Sequence, residues 1–203
     1  MTGRRNRDHW RDHDGQVNFY DLKGVFEQVL SNLGVRNCEI VPLETAPPHL
    51  HPLRCAAIRV SQRDIGFLGE VHPLINQALE FKNRALIGEM LLDPLVALAN
   101  FDRQFRPITR YPRIQRDIAL ILDKAIAAGG VEKAIAESAG PLLVDMRLFD
   151  VYEGDRIAPD KKSLAYSLAF QSPERTLREE EIDETLARII EIVTERFGAT
   201  LRS

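Results

Sequence analysis

Hydrophobic positions in this chain of 203 residues repeat at two spacings, and the spacing changes from segment to segment. Leu22, Val25, Phe26, Val29, Leu30 and Leu33 recur every three or four residues, which predicts an amphipathic helix over 19–33 with Gly34 just past its end. Cys38 to Leu43 reads as a short strand, and Pro47, Pro48 and Pro52 break any period after it. Arg54 to Val60 and Ile65 to Val71 read as two strands of a hairpin joined by the polar loop Ser61–Asp64. Pro73 suits the first turn of a short helix reaching Leu79, Arg84 to Leu92 is a further strand, and Asp93-Pro94 opens a helix through Asn100.

Phe101 to Pro112 follows neither period and is rich in Arg, Gln and Pro, so the domain boundary is placed there. Beyond it come a strand over 117–122, a helix over 131–138 stopped by Gly140-Pro141, and strands over 142–152 and 163–171. In the last strand Leu164, Tyr166, Leu168 and Phe170 alternate with Ser163, Ala165, Ser167 and Ala169, which predicts one face packed on helices and one open, small and polar face. Thr176 and Glu179 have the spacing of a capping box, and Ile182, Leu186, Ile189, Ile190, Val193 and Phe197 then share one helical face ending at Gly198. Ala199 to Arg202 reads as a closing edge strand. The fold class is α+β: a partial antiparallel layer over 1–106, then a ferredoxin-like βαββαβ domain over 107–203.

Composition narrows the class. With 44% hydrophobic and 28% charged residues, the chain reads as a globular protein. Cys38 and Cys55 stand in no metal or redox spacing and are too few for a disulfide scaffold, which implies a reducing compartment. No apolar run approaches the roughly 18 residues of a membrane span, and the Arg-rich start also holds Asp8, Asp12 and Asp14, unlike a transit peptide. A cytoplasmic protein with a solvated leading loop is expected. Residues 1–106 carry 13 basic against 13 acidic side chains, and residues 107–203 carry 14 against 17. A dedicated nucleic-acid binder usually shows the opposite balance, so charge alone speaks against RNA binding by the second half.

The blocks RYPRIQRDIALIL, LLVDMRLFDVYEG, KKSLAYSLAFQ and RTLREEEID, in order from Arg110 onward, resemble the ferredoxin-fold anticodon-binding domain that closes the beta chain of bacterial phenylalanyl-tRNA synthetase. Upstream, Trp10, the run Asn18 to Gly24, His51-Pro52 and the run Ile65 to Pro73 resemble the end of the synthetase-like core of the same chain. There are local departures: Asn18 stands where that family usually has Asp, and the loop Ser61–Asp64 lacks its usual Gly. The resemblance implies a non-catalytic class II core portion supporting a catalytic alpha chain, and a last domain holding the anticodon region of tRNA(Phe). The full enzyme it implies is an alpha2beta2 heterotetramer using ATP and magnesium, with no cofactor in this portion.

Several side chains have the chemistry for RNA. Arg106, Arg110, Arg113 and Arg116 surround Tyr111 at the start of the last domain, where guanidinium groups suit phosphates and the ring suits a splayed base. Lys161, Lys162, Arg175 and Arg178 flank the third strand and are phosphate-positioning by type, with no base identity, and their spacing puts them at opposite sheet ends. On the open face, alternation assigns only Phe149, with Arg147 and Asp145 beside it, so stacking across the sheet is not expected to be the main mode. His49 and His51 lack further ligands at metal spacing, and His72 before Pro73 suits a capping or packing role. No GxGxxG, GxxxxGK[ST] or GxSxG occurs, and the region 84–100 holds only Gly88. No catalytic residue is assigned. The rival reading is a protein-docking module, favoured by the acidic balance and the small-residue face. If 101–112 is a linker between separately folding parts, limited proteolysis releases a stable fragment beginning near Arg106; first cuts inside 113–203 displace the boundary.

Overall fold

A computed structural model describes residues 1–5, 15–102, 105 and 107–202. Trp10, Arg106 and most of the leading loop lie outside them. The chain divides into two compact units, Met1–Gln104 and Phe105–Ser203. Among the described residues no helix is long and apolar enough to cross a membrane.

In the first unit α1 spans Phe19–Asn32. Asn18 caps it: its Oδ1 accepts the Tyr20 N–H at 2.8 Å, while the Asp21 carboxylate accepts the Asn18 N–H at 2.8 Å. Asn thus performs the reciprocal cap as Asp would. Arg5 lies 2.8 Å from the same carboxylate, and these hydrogen bonds hold Asp21 below the usual carboxylate range. Leu22 and Leu30 are buried and Phe26 and Leu33 pack beside them, but Val25 and Val29 are 46% and 38% exposed, so the packed stripe is narrower than the spacing predicts. Gly34 adopts φ +69°, and a Cβ there would run into the Asn100 carbonyl. Both demands exclude a side chain.

Helix α1 packs on a four-stranded antiparallel meander, in the order β1 (Cys38–Pro42), β2 (Leu50–Val60), β3 (Arg63–Val71) and β4 (Leu86–Met90). Strand β2 starts four residues before Arg54, and its pairing with β3 skips between Leu50 and Cys55. Pro52 therefore sits in an irregularity, where its missing N–H breaks no ladder. The β2–β3 connection is tighter than the four-residue loop expected. Val60 pairs with Arg63, leaving Ser61 and Gln62 as a two-residue turn with φ of 48° and 67°. Helix α2 (Pro73–Ala78) is capped by His72, which accepts the Leu74 N–H at 3.3 Å. Helix α3 (Leu92–Leu98) begins at Leu91 without a side-chain cap, so Asp93 lies in the first turn instead of capping it.

The second unit runs β5 (Ile114–Asp123), α4 (Ala128–Ala139), a 3-10 turn (Gly140–Leu142), β6 (Leu143–Tyr152), β7 (Lys161–Phe170), α5 (Glu179–Phe197) and β8 (Thr200–Leu201). Its sheet order is β6-β7-β5-β8, all antiparallel, the ferredoxin-like arrangement. Leu164, Tyr166, Leu168 and Phe170 are buried with Ile118, Leu120 and Leu122 against Val131 and Ile135 of α4 and Ile182, Ile189 and Val193 of α5. The α5 cap differs from the predicted box. The helix starts at Glu179, and Glu181, not Glu179, accepts the Arg178 N–H at 3.0 Å; Thr176 lies upstream of the cap. Gly198 ends it at φ +61° as expected.

Positive φ at both central residues makes Ser61-Gln62 a type I′ turn, in which a non-glycine residue is disfavoured by about 1 kcal/mol. Gln62→Gly should raise stability by about that amount, read as a higher urea midpoint at unchanged m-value. An unchanged or lower midpoint would remove the strain assigned to this turn.

Candidate nucleic-acid interface

Burying one face of β7 turns the other outward. Register then places Gln115, Asp117, Ala119, Ile121 and Asp123 of β5 and Asp145, Arg147, Asp150 and Tyr152 of β6 alongside Ser163, Ala165, Ser167 and Ala169. Strand β6 does not alternate evenly. Its pairing skips at Val144 and again at Phe149. The second bulge inverts the parity, so that Asp150 and Tyr152, which uninterrupted alternation from Leu148 would turn toward the helices, lie on the open face. Periodicity missed these two residues because a bulge leaves no mark in the hydrophobic pattern. Gln115 Nε2 donates to Ser167 Oγ at 2.6 Å, and the Arg202 guanidinium stands 5.1 Å from the centre of the Tyr152 ring.

The predicted cations separate. Arg113 Nε donates to Gln171 Oε1 at 3.3 Å, Gln171 Nε2 donates to the Tyr111 carbonyl at 2.7 Å, and Thr109 Oγ1 donates to the Ser172 carbonyl at 3.3 Å. The segment before β5 is thereby fastened to the chain leaving β7. Arg175 and Arg178 follow β7 at this same end, and Arg116, on the helix side of β5, lies 3.6 Å from Glu179. Lys162 is at the opposite end, where it donates to the Lys124 carbonyl at 3.1 Å. Ten residues of strand separate the ends by about 30 Å. Arg147 lies between them opposite Ser167, and Phe149 is half-exposed at the bulge. Arg110 is exposed, and among the described residues Arg110, Arg147 and Arg178 form no ion pair.

In the first unit His51 accepts the Leu53 N–H at 3.1 Å, so it and His72 both serve the backbone. Arg54 and Arg84 meet the buried Glu70 at 2.9 Å and 3.7 Å.

Comparison with known proteins agrees with this architecture. Residues 109–202 match the family model of the ferredoxin-fold anticodon binding domain, and residues 1–92 match that of the phenylalanyl tRNA synthetase beta chain CLM domain. The phenylalanine–tRNA ligase beta subunit of Carboxydothermus hydrogenoformans is 37% identical over 194 residues, covering 96% of this chain and 24% of that protein. That of Symbiobacterium thermophilum is 37% identical over 203 residues, 100% of this chain and 22% of its own, and that of Moorella thermoacetica 39% over 193, or 95% and 24%. The chain belongs to the phenylalanyl-tRNA synthetase beta chain family. It spans about a quarter of the length of the curated relatives it matches and corresponds to their C-terminal portion.

Charge within the anticodon-binding fold of this beta-chain portion is segregated, which the net balance conceals. Helices α4 and α5 carry nine carboxylates against three basic side chains, whereas the rest of 107–203 carries eight against eleven. The excess acid sits on the layer behind the sheet. Two of the predicted cations pair there: Arg116 lies 3.6 Å from Glu179, and Arg175 grips Glu181 through two contacts, 2.7 Å and 2.5 Å. That pairing, with the Arg178 N–H, pushes the Glu181 carboxyl down to about 2. A carboxyl depressed on folding stabilises the native state above its ordinary pKa of 4.5, and the contribution is lost as pH falls toward 2. The Glu181 carboxyl carbon should titrate near 2 by NMR, and Glu181→Gln should flatten the fall in stability between pH 4.5 and 2. Titration near 4.5 would mean that the pair is not formed in solution.

Proposed function

We propose that this chain acts as the C-terminal part of a phenylalanine–tRNA ligase beta subunit, in which residues 107–203 hold the anticodon region of tRNA(Phe) during ATP-dependent aminoacylation. Residues 1–106 support the catalytic alpha chain in an alpha2beta2 cytoplasmic enzyme. The carrying observation is the division of labour on the second unit. Cations collect at one sheet end, the helices carry the excess acid, and the open face between offers an aromatic ring and hydrogen-bonding side chains that include four aspartates.

Arg110, Arg113 and Arg178 at that end, with Arg147 on the sheet, suit phosphates and fix orientation without reading sequence, whereas Arg116 faces the helices and pairs with Glu179. Tyr152 supplies a stacking platform, with Tyr111 as a second ring at the sheet end. Asp145, Asp150 and Asp117 can accept hydrogen bonds from base amino groups, and Ser167 offers a hydroxyl, so the centre of the face suits Watson–Crick edges better than phosphates. ATP and magnesium belong to the alpha chain in this reading. Gly88 packs against the Phe26 ring and takes no part in a phosphate loop.

A second reading, a protein-docking module, draws on the aspartates of the open face and the acidic helix layer. An electrophoretic shift with cognate against non-cognate tRNA at two salt concentrations separates the two. For RNA, the Arg110→Ala, Arg113→Ala double variant should weaken all tRNAs alike and reduce the salt slope by about 0.7 for each phosphate left without its arginine. Tyr152→Ala should remove about 1–3 kcal/mol from the cognate loop and narrow the gap to non-cognate loops. Parent-like binding by both variants would exclude this face and this end.

A further inference from the structure

Tyr152 is not free in the folded chain. It is on β6, and Arg202 follows β8, so the partners come from the two outermost strands of the sheet. Their contact crosses β7 and β5, about 14 Å of sheet. Small side chains open most of this path: Ala119, Ala165 and Ser163 face the same side with Ile121 beside Ser163, and Ser163 is only 2% exposed although it lies on the open face. The backbone under the guanidinium is secured, since the Arg202 N–H donates to the Ala119 carbonyl at 2.8 Å and Ala199 is fully buried. The backbone hydrogen bond does not involve the guanidinium, so the strand edge can stay paired wherever the Arg202 side chain lies.

We propose that Arg202 is a self-stacking gate over Tyr152. In the RNA-free protein its guanidinium occupies the ring; an incoming base takes that place, and the released guanidinium passes to a phosphate. The inference rests on the anticodon-binding reading. Its physical basis is a competition for one aromatic face. A single exposed cation–π contact is weaker than base–aromatic stacking, so a base displaces the arginine while the bare ring is never left to water. Sequence pattern singles out neither Arg202 nor Tyr152, because a bulge sets the facing of one and an edge strand of two residues carries the other.

The test follows the Arg202 side-chain Nε–H resonance by NMR in the full chain, with the anticodon stem-loop of tRNA(Phe) as ligand. In the free protein this proton should carry a ring-current shift that Tyr152→Ala abolishes. Intact stem-loop should abolish it too. Of three stem-loops each lacking one anticodon base, one should bind and leave the shift in place. Arg202→Met should bind more weakly than the parent at low salt, with a salt slope smaller by about 0.7, and reach or exceed the parent at high salt, where one phosphate pairing fewer makes little difference. An arginine that stays ring-shifted in the complex, or a variant weakened by the same factor at every salt concentration, overturns the gate and leaves RNA binding standing. Absence of stem-loop binding by the parent overturns both.

Discussion

Strand β7 has one face of four large apolar side chains, and their burial sets the rest of the second unit. Leu164, Tyr166, Leu168 and Phe170 are all essentially inaccessible, and nothing but the two helices can cover them. At roughly 1.5–3 kcal/mol for each large side chain removed from water, no arrangement that exposes this row competes with one that hides it. The row is so apolar that even the Tyr166 hydroxyl is buried without a hydrogen-bond partner among the described residues, and desolvation pushes its ionisation far up. Once α4 and α5 occupy that side, the alternate row of Ser and Ala has to face outward.

The same constraint accounts for the electrostatics. An amphipathic helix with one face in the core must carry its charges on the other, and α5 carries seven carboxylates against two arginines. Part of that acid serves the helix itself, since Glu179, Glu180 and Glu181 lie at its positive end. The remainder lies behind the sheet. A net charge taken over 107–203 therefore averages the acidic helix layer with a sheet side whose cations lie at one end and whose open face carries four aspartates, and it describes neither surface.

The first unit depends on closeness of backbone as much as on apolar volume. Phe26 of α1 lies on Gly88 of β4, where a Cβ would be 2.5 Å from the ring, and Gly34 meets the Asn100 carbonyl. Glycine in these places is a packing requirement. Reading Gly88 as the remnant of a phosphate loop would have mistaken a contact for a site.

Element type and order were legible from the residues alone, because a period of two or of 3.6 is a local property and burial rewards it wherever the chain folds. That holds for the β7 alternation, for α1 and α5, and for the glycines that end them. The resemblance blocks likewise lie where matching family models fall. What tertiary structure decided was everything that depends on registering one strand against another. The type I′ turn follows from Val60 meeting Arg63, and the α5 cap moved because Arg175 and the Arg178 N–H both converge on Glu181. The assembly of cations at one sheet end follows from pairing Ile114 with Phe170, over fifty positions apart in the chain. Tyr152 reached the open face only because β6 bulges at Phe149 against a regular β7. A bulge is a mismatch between two strands, so no single segment records it, and the side on which a functional ring stands is fixed only when the strands meet.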